Sequence, residues 1–214
     1  DRLLSRGLGD VYKRQMSEDG KISDLTPGEN EKASFAGWSK DKKSMYYISN
    51  KRNPKFFDFY KMKVDTWKSE MLYQNDNGIN ISDMSEDESW FSFSQTITTS
   101  ENKLFLTNRI DKSTIELSVE PGSYSSSGFS NDNKYFFFIT DVGEEFSYLV
   151  KYEIETGKKE ILFQTNWDVM YSYLSENENY RVTAVNEDGK NTLFIKNLVN
   201  NSDVFFPKIP DGDI

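Results

Sequence analysis

The feature that most restricts the fold is a repeat. Ser39, Ser85, Ser130 and Ser175 share one four-residue pattern, apolar, Ser, polar, then Asp or Asn. The copies are Trp38-Ser39-Lys40-Asp41, Met84-Ser85-Glu86-Asp87, Phe129-Ser130-Asn131-Asp132 and Leu174-Ser175-Glu176-Asn177. The serines lie 46, 45 and 45 residues apart. A chain repeating at this period stacks supersecondary units, none of which can bury its apolar face alone.

The rest of each unit recurs as well. After each Ser comes an apolar run: Met45 to Ile48, Trp90 to Phe93, Tyr135 to Ile139, Tyr180 to Val185. Further runs follow at Phe59-Tyr60, Leu104 to Leu106, Tyr148 to Val150 and Leu193 to Ile195. A last set closes each unit: Met71 to Tyr73, Ile115 to Leu117, Ile161 to Phe163, Val204 to Phe206. The runs are short, aromatic or β-branched, and bounded by Asn, Asp, Gly and Ser, which is strand chemistry. No stretch holds the i, i+3, i+4, i+7 apolar pattern of a helix. One more strand precedes each Ser, within 33–38, 79–84, 124–129 and 169–174.

Four short antiparallel strands in each unit make the blade of a β-propeller. The expectation is therefore an all-β chain with four complete four-stranded blades, at about 33–74, 79–120, 124–165 and 168–209. The stretch from Lys21 to Gly28 reads as the outer strand of an earlier blade. The chain is then a partial propeller over 16–214, from a ring of six to eight blades. The Ser-x-Asp element falls at the hairpin between a blade's first and second strands. Asp and Asn side chains close such turns by accepting backbone N–H groups two residues on. Asp41, Asp87, Asp132 and Asn177 look catalytic one at a time, but their repetition marks them as turn residues.

Composition narrows the chemistry. The 214 residues include no His and no Cys. A Ser-His-Asp or Cys-His triad, a disulfide, and a thiolate or imidazole metal site are all excluded within this chain. The net charge of -9 disfavours nucleic acid as a partner, because an acidic surface repels phosphates. No apolar run is long enough to span a membrane. The 16 Phe, 12 Tyr and 4 Trp exceed what a disordered chain carries and supply a core.

The first fifteen residues, Asp1 to Gln15, stand apart. They are basic, break the repeat, and resemble translated sequencing-adapter read-through at Asp10 to Gln15. They are expected to be a non-native leader that adds little to the core, with Leu3, Leu4 and Leu8 outside any blade interface. On this reading the native N-terminus lies beyond the chain, and the compartment, periplasm or cytoplasm, stays open.

Beyond the leader the chain resembles the N-terminal propeller of the prolyl oligopeptidase family of serine peptidases, which includes dipeptidyl and acylaminoacyl peptidases. The resemblance rests on Leu25-Thr26-Pro27-Gly28, the four Ser-x-Asp turns, the stretch from Thr140 to Leu149, and Tyr152 to Lys158. The blade motifs are shared with Tol-system and tricorn-type propellers. In the family, catalysis belongs to a C-terminal α/β-hydrolase domain with a Gly-x-Ser-x-Gly elbow. No such motif occurs here, so no catalytic residue carries over.

The resemblance implies a non-catalytic propeller that gates short peptides toward a hydrolase domain in cis, without cofactor or metal. It also implies candidate substrate contacts. The dipeptidyl-peptidase branch holds the substrate amino terminus with a pair of propeller glutamates, and Glu144-Glu145 is the one Glu-Glu pair here. Arg52 is a candidate carboxylate or carbonyl anchor. The plainer reading of all three residues is solvated loop charge, which such positions more often carry. The alternatives are a stand-alone Tol-system-like propeller that binds a protein or peptide, and a propeller enzyme of lactonase type. The concentration of acidic residues in turns at blade rims counts against the last.

Overall fold

The computed structural model describes residues 14–16, 22–28 and 30–205. Most of the leader, including Leu3, Leu4 and Leu8, lies outside the described residues. The backbone of β1 (Arg14–Met16) pairs antiparallel with β2 (Ile22–Asp24), Arg14 opposite Asp24.

Sixteen further strands form four antiparallel sheets, and there is no helix among the described residues. Blade A holds β3 (Ala33–Trp38), β4 (Ser44–Asn53), β5 (Phe56–Lys63) and β6 (Ser69–Tyr73). Blade B holds β7 (Asn80–Met84), β8 (Trp90–Thr96), β9 (Asn102–Asn108) and β10 (Thr114–Glu116). Blade C holds β11 (Tyr124–Phe129), β12 (Tyr135–Thr140), β13 (Tyr148–Glu153) and β14 (Lys159–Phe163). Blade D holds β15 (Asp168–Leu174), β16 (Tyr180–Glu187), β17 (Lys190–Asn197) and β18 (Ser202–Asp203). Within every sheet the strands follow chain order. The closing strand of blade D is two residues long, although the apolar run expected there begins at Val204; the ladder continues through the Val204 N–H to the Ile195 carbonyl.

The chain divides into two compact units, residues 1–80 and 81–214. In the first, Ala33, Met45, Tyr47, Tyr60 and Met62 form the core of blade A, with Leu25 and Phe35 against it. Tyr47 stacks on Tyr60 at 5.1 Å between ring centroids. In the second, blade C is buried on both faces. Phe136 and Phe138 pack with Leu104, Leu106 and Leu117 of blade B. Phe137 and Ile139, pointing the other way, pack with Val169 and Val185 of blade D. A strand enclosed on both sides needs a continuous apolar run rather than alternation, and Tyr135 to Ile139 is such a run.

The four Ser-x-Asp elements adopt one geometry. In blade A the Ser39 hydroxyl donates to Asp41 Oδ1 (2.8 Å), which also accepts the Lys43 N–H (3.0 Å), while Ser39 Oγ accepts the Ser44 N–H (2.9 Å). Blade B repeats this with Ser85, Asp87, Ser89 and Trp90 at 2.8, 2.9 and 2.9 Å. Blade C does so with Ser130, Asp132, Lys134 and Tyr135 at 2.7, 3.1 and 2.9 Å. Blade D follows with Ser175, Asn177, Asn179 and Tyr180 at 2.9, 3.1 and 3.0 Å. The residue after the Asp or Asn is left-handed in every copy: Lys42, Glu88, Asn133 and Glu178 have φ between 54° and 61°. The side-chain bonds hold a backbone conformation that L-residues otherwise avoid.

Candidate functional site

Arg52 lies near the tip of the β4–β5 hairpin, on an edge of blade A. Two residues into β5, Asp58 interrupts the aromatic run Phe56 to Tyr60, and its side chain is fully buried. Arg52 Nε donates to Asp58 Oδ2 (2.7 Å) and Nη2 to Oδ1 (2.8 Å), a two-pronged pair. Asp58 also accepts the Asn75 N–H (2.8 Å) and the Tyr60 hydroxyl (3.2 Å). Burial pushes the Asp58 carboxyl up, but the bonds from Arg52, Asn75 and Tyr60 and the Arg52 charge outweigh it and hold the group below the usual carboxylate range. Tyr60 moves the opposite way, raised first by burial and then by the Asp58 charge. Arg52 further donates to the Asn75 carbonyl (2.7 Å) and pairs through Nη1 with the exposed Asp76 (3.0 Å). Among the described residues four of its five N–H donors are engaged, and one on Nη1 remains.

Glu144 and Glu145 belong to the second unit. They sit in the turn between β12 and β13, both exposed, after Gly143 in a left-handed conformation (φ 77°). Beside this turn is a cavity of about 310 Å³ lined by Glu120, Tyr124, Thr140, Val142, Gly143 and Tyr148, among others. The Tyr148 hydroxyl donates to the Val142 carbonyl (2.9 Å), and the Tyr124 hydroxyl to the Glu120 carbonyl (2.9 Å). Burial raises the Tyr148 hydroxyl, and the charges of Glu144, Glu120 and Asp141 raise it further. The charges of Glu144, Glu120 and Asp141 thus reach Tyr148 at this cavity, whose lining also carries Lys159 and Glu160.

The first strands of blades B, C and D carry a third polar group that the sequence analysis did not single out. The Ser126 hydroxyl lies 3.4 Å from Asp83 Oδ2, and the Ser127 hydroxyl donates to the Ser172 carbonyl (2.9 Å). Asp83 Oδ1 accepts the Met84 N–H (2.7 Å). Burial holds the Asp83 carboxyl above its ordinary value, ahead of these bonds, which act to lower it. Among the described residues no cluster of three Asp or Glu side chains could hold a metal ion, and no helix is long and apolar enough to cross a membrane.

No family model matches the chain, and no curated protein matches it. Solved structures do. TolB from Acinetobacter baumannii superposes with a TM-score of 0.66 at 15% identity, over 89% of this chain and 47% of that one. A structure from work on two prolyl endopeptidases superposes at 0.63 and 15% identity, over 92% of this chain and 31% of that one. Prolyl oligopeptidase B from Galerina marginata gives 0.57 at 15%, over 80% and 26%. The fold is a β-propeller. At this identity the likeness carries the fold and nothing finer. The chain spans about half of the TolB chain and under a third of the endopeptidase chain.

Proposed function

We propose that this chain is the non-catalytic propeller part of a serine peptidase of the prolyl oligopeptidase family, which gates short peptides toward an α/β-hydrolase domain in the same polypeptide. The observation that carries this reading is that all four Ser-x-Asp elements are spent on identical turns. With no His in the chain, these serines have no imidazole base to activate them, and in this reading the chemistry comes from another domain. The likeness to prolyl endopeptidases supports it, since 92% of this chain superposes on a minor part of a peptidase.

In this reading Glu144 and Glu145 accept the substrate's amino terminus at the cavity below their turn, where the surrounding negative charge favours a protonated amine. Arg52 offers its outward Nη1 to a substrate carbonyl while Asp58 holds the rest of the fork. A second reading, a TolB-like scaffold that binds a peptide or protein, is favoured by the higher TM-score of the Acinetobacter TolB.

The test is the parent gene. A downstream Gly-x-Ser-x-Gly followed by Asp and His, and hydrolysis of chromogenic peptides by the parent that vanishes when its elbow Ser is replaced, support the gate. A reading frame that closes after the propeller, or turnover by residues 16–214 comparable to the parent's, overturns it. Replacing Glu144 and Glu145 by Gln is expected to raise KM for peptides with a free amino terminus and to spare N-acetylated ones. An equal effect on both would remove the two glutamates from substrate binding.

A further inference from the structure

Blades C and D part toward their outer strands and leave a cleft of about 790 Å³, a size suited to a small ligand. Phe137, Leu162 and Phe163 line one wall, and Arg181, Phe194 and Phe205 belong to the other. Phe163 and Phe194 meet across it at 5.0 Å between ring centroids. Phe194 and Phe205 remain exposed, so the cleft is apolar and reachable from outside.

The charges in this apolar setting decide what it fits. Lys151 is paired with Glu160 (2.6 Å), and Lys196 with Asp203 (3.0 Å). Arg181 is not paired in this way. Its residue exposure is 8%, and its guanidinium carbon lies 4.2 Å from the centre of the Phe137 ring. Among the described residues its one hydrogen bond is a long one, 3.5 Å from Nη1 to the Ser172 hydroxyl. Among the described residues no carboxylate lies within ion-pair distance of Arg181. Glu178 acts on it only through its field, and the Glu178 carboxylate accepts the Asn131 N–H (2.7 Å). A buried guanidinium without a counter-ion is costly, and a fork of free donors at an apolar wall matches a carboxylate.

We infer that the cleft between blades C and D is a binding site for an apolar monocarboxylate, whose carboxylate pairs with Arg181 and whose apolar body lies against Phe163, Phe194 and Leu162. The assignment is independent of the gating role proposed above. Burial pulls Arg181 down to about 10, which still leaves it a cation at neutral pH. Lysine could replace the charge but not the planar stack on Phe137 or the fork.

The experiment uses the whole 214-residue chain and isothermal titration at pH 7, with decanoate, decanol and decyltrimethylammonium below their micelle concentrations. An apolar tripeptide with a free C-terminal carboxylate and its amide form a second arm, which separates a free acid from a peptide end as the source of the same chemistry. Decanoate, or the tripeptide acid, is expected to bind at least roughly tenfold tighter than its uncharged counterpart. Arg181→Met should abolish that preference, and Arg181→Lys should keep part of it. Circular dichroism confirms that each variant folds. Equal binding of decanoate and decanol, binding unchanged in Arg181→Met, or no binding of any probe would each overturn the assignment.

Discussion

Two arginines of this protein have opposite electrostatic surroundings. Arg52 meets a fully buried carboxylate head on, and Asp58 has four donors directed at it. Arg181 is more deeply enclosed, yet it faces a phenyl ring and one distant hydroxyl. Burial alone therefore does not tell what a charge is for. A paired buried charge is held by structure that collapses when one partner goes. An unpaired one costs stability in the resting chain and gains only when something outside supplies the counter-ion.

The sharpest way to break the contrast is to make Arg52 resemble Arg181. Asp58→Ala deletes the acceptor of four hydrogen bonds and leaves the Asn75 N–H and the Tyr60 hydroxyl without their partner. The Arg52 side chain keeps 30% of its surface in water, which screens the pair and puts the effect toward the low end of the usual range. A loss of about 3 kcal/mol is expected in urea denaturation. A loss under about 1 kcal/mol would mean that the pair is worth no more than a surface salt bridge.

Acid does the same reversibly. Asp58 is held below its ordinary value in the folded chain, so its contribution is complete above the unfolded carboxylate range and is lost as pH falls through the lower, folded value. The difference in urea midpoint between the wild type and Asp58→Asn should hold from pH 7 to about 5 and shrink toward pH 2. A constant difference over that range would show that the charge of Asp58 does not matter.

What the sequence revealed of these sites follows from the range of the interactions. The turns were legible because each is closed within six residues and written four times: Ser39 to Ser44 already contains every atom of its own network. Blade C was legible because Tyr135 to Ile139 is apolar at every position. In the sequence Arg52 reads as a loop charge, but its meaning depends on Asp58 and on the Asn75 carbonyl, 23 residues away. A signal for that partner was present, since Asp58 is a lone acid in Phe56-Phe57-Asp58-Phe59-Tyr60. Arg181 carries the same kind of signal: it shares the alternation phase of Thr183 and Val185, both buried. A charge placed in the apolar phase of a strand announces a site, but its partner, or the lack of one, is a matter of how blades pack.

Asp83 extends the comparison to an acid whose pairing is as poor as that of Arg181. Its carboxyl is raised by burial, so the sign of its pH dependence is the reverse of that for Asp58. Any stability it contributes is present below the unfolded carboxylate pKa, where both states are protonated, and is lost as pH rises toward the folded value. Asp83→Asn, which keeps an acceptor for the Met84 N–H, should therefore stabilise modestly at pH 7 and have no effect near pH 3. Thermal melts at both values check this. Destabilisation at pH 7 would show that the Asp83 charge has a favourable partner at the first strands of blades B and C.

The smallest expected change in stability comes from Arg181→Met. The variant removes the stack on Phe137 and the long contact to Ser172, which together are weak. It also removes the cost of holding a guanidinium away from water. Methionine is unbranched and polarizable and can lie along the same ring, so little packing is lost. The balance should fall between neutral and about 1 kcal/mol more stable than the wild type. Arg181→Ala separates charge from volume, because it removes the same charge but also the side-chain stem that packs against the blade, and it should be less stable than Arg181→Met. A loss above about 2 kcal/mol in Arg181→Met would mean that the guanidinium holds blades C and D together much as Arg52 holds its hairpin. Neutral or positive stability, together with lost carboxylate binding, leaves a charge that the fold tolerates and a ligand uses.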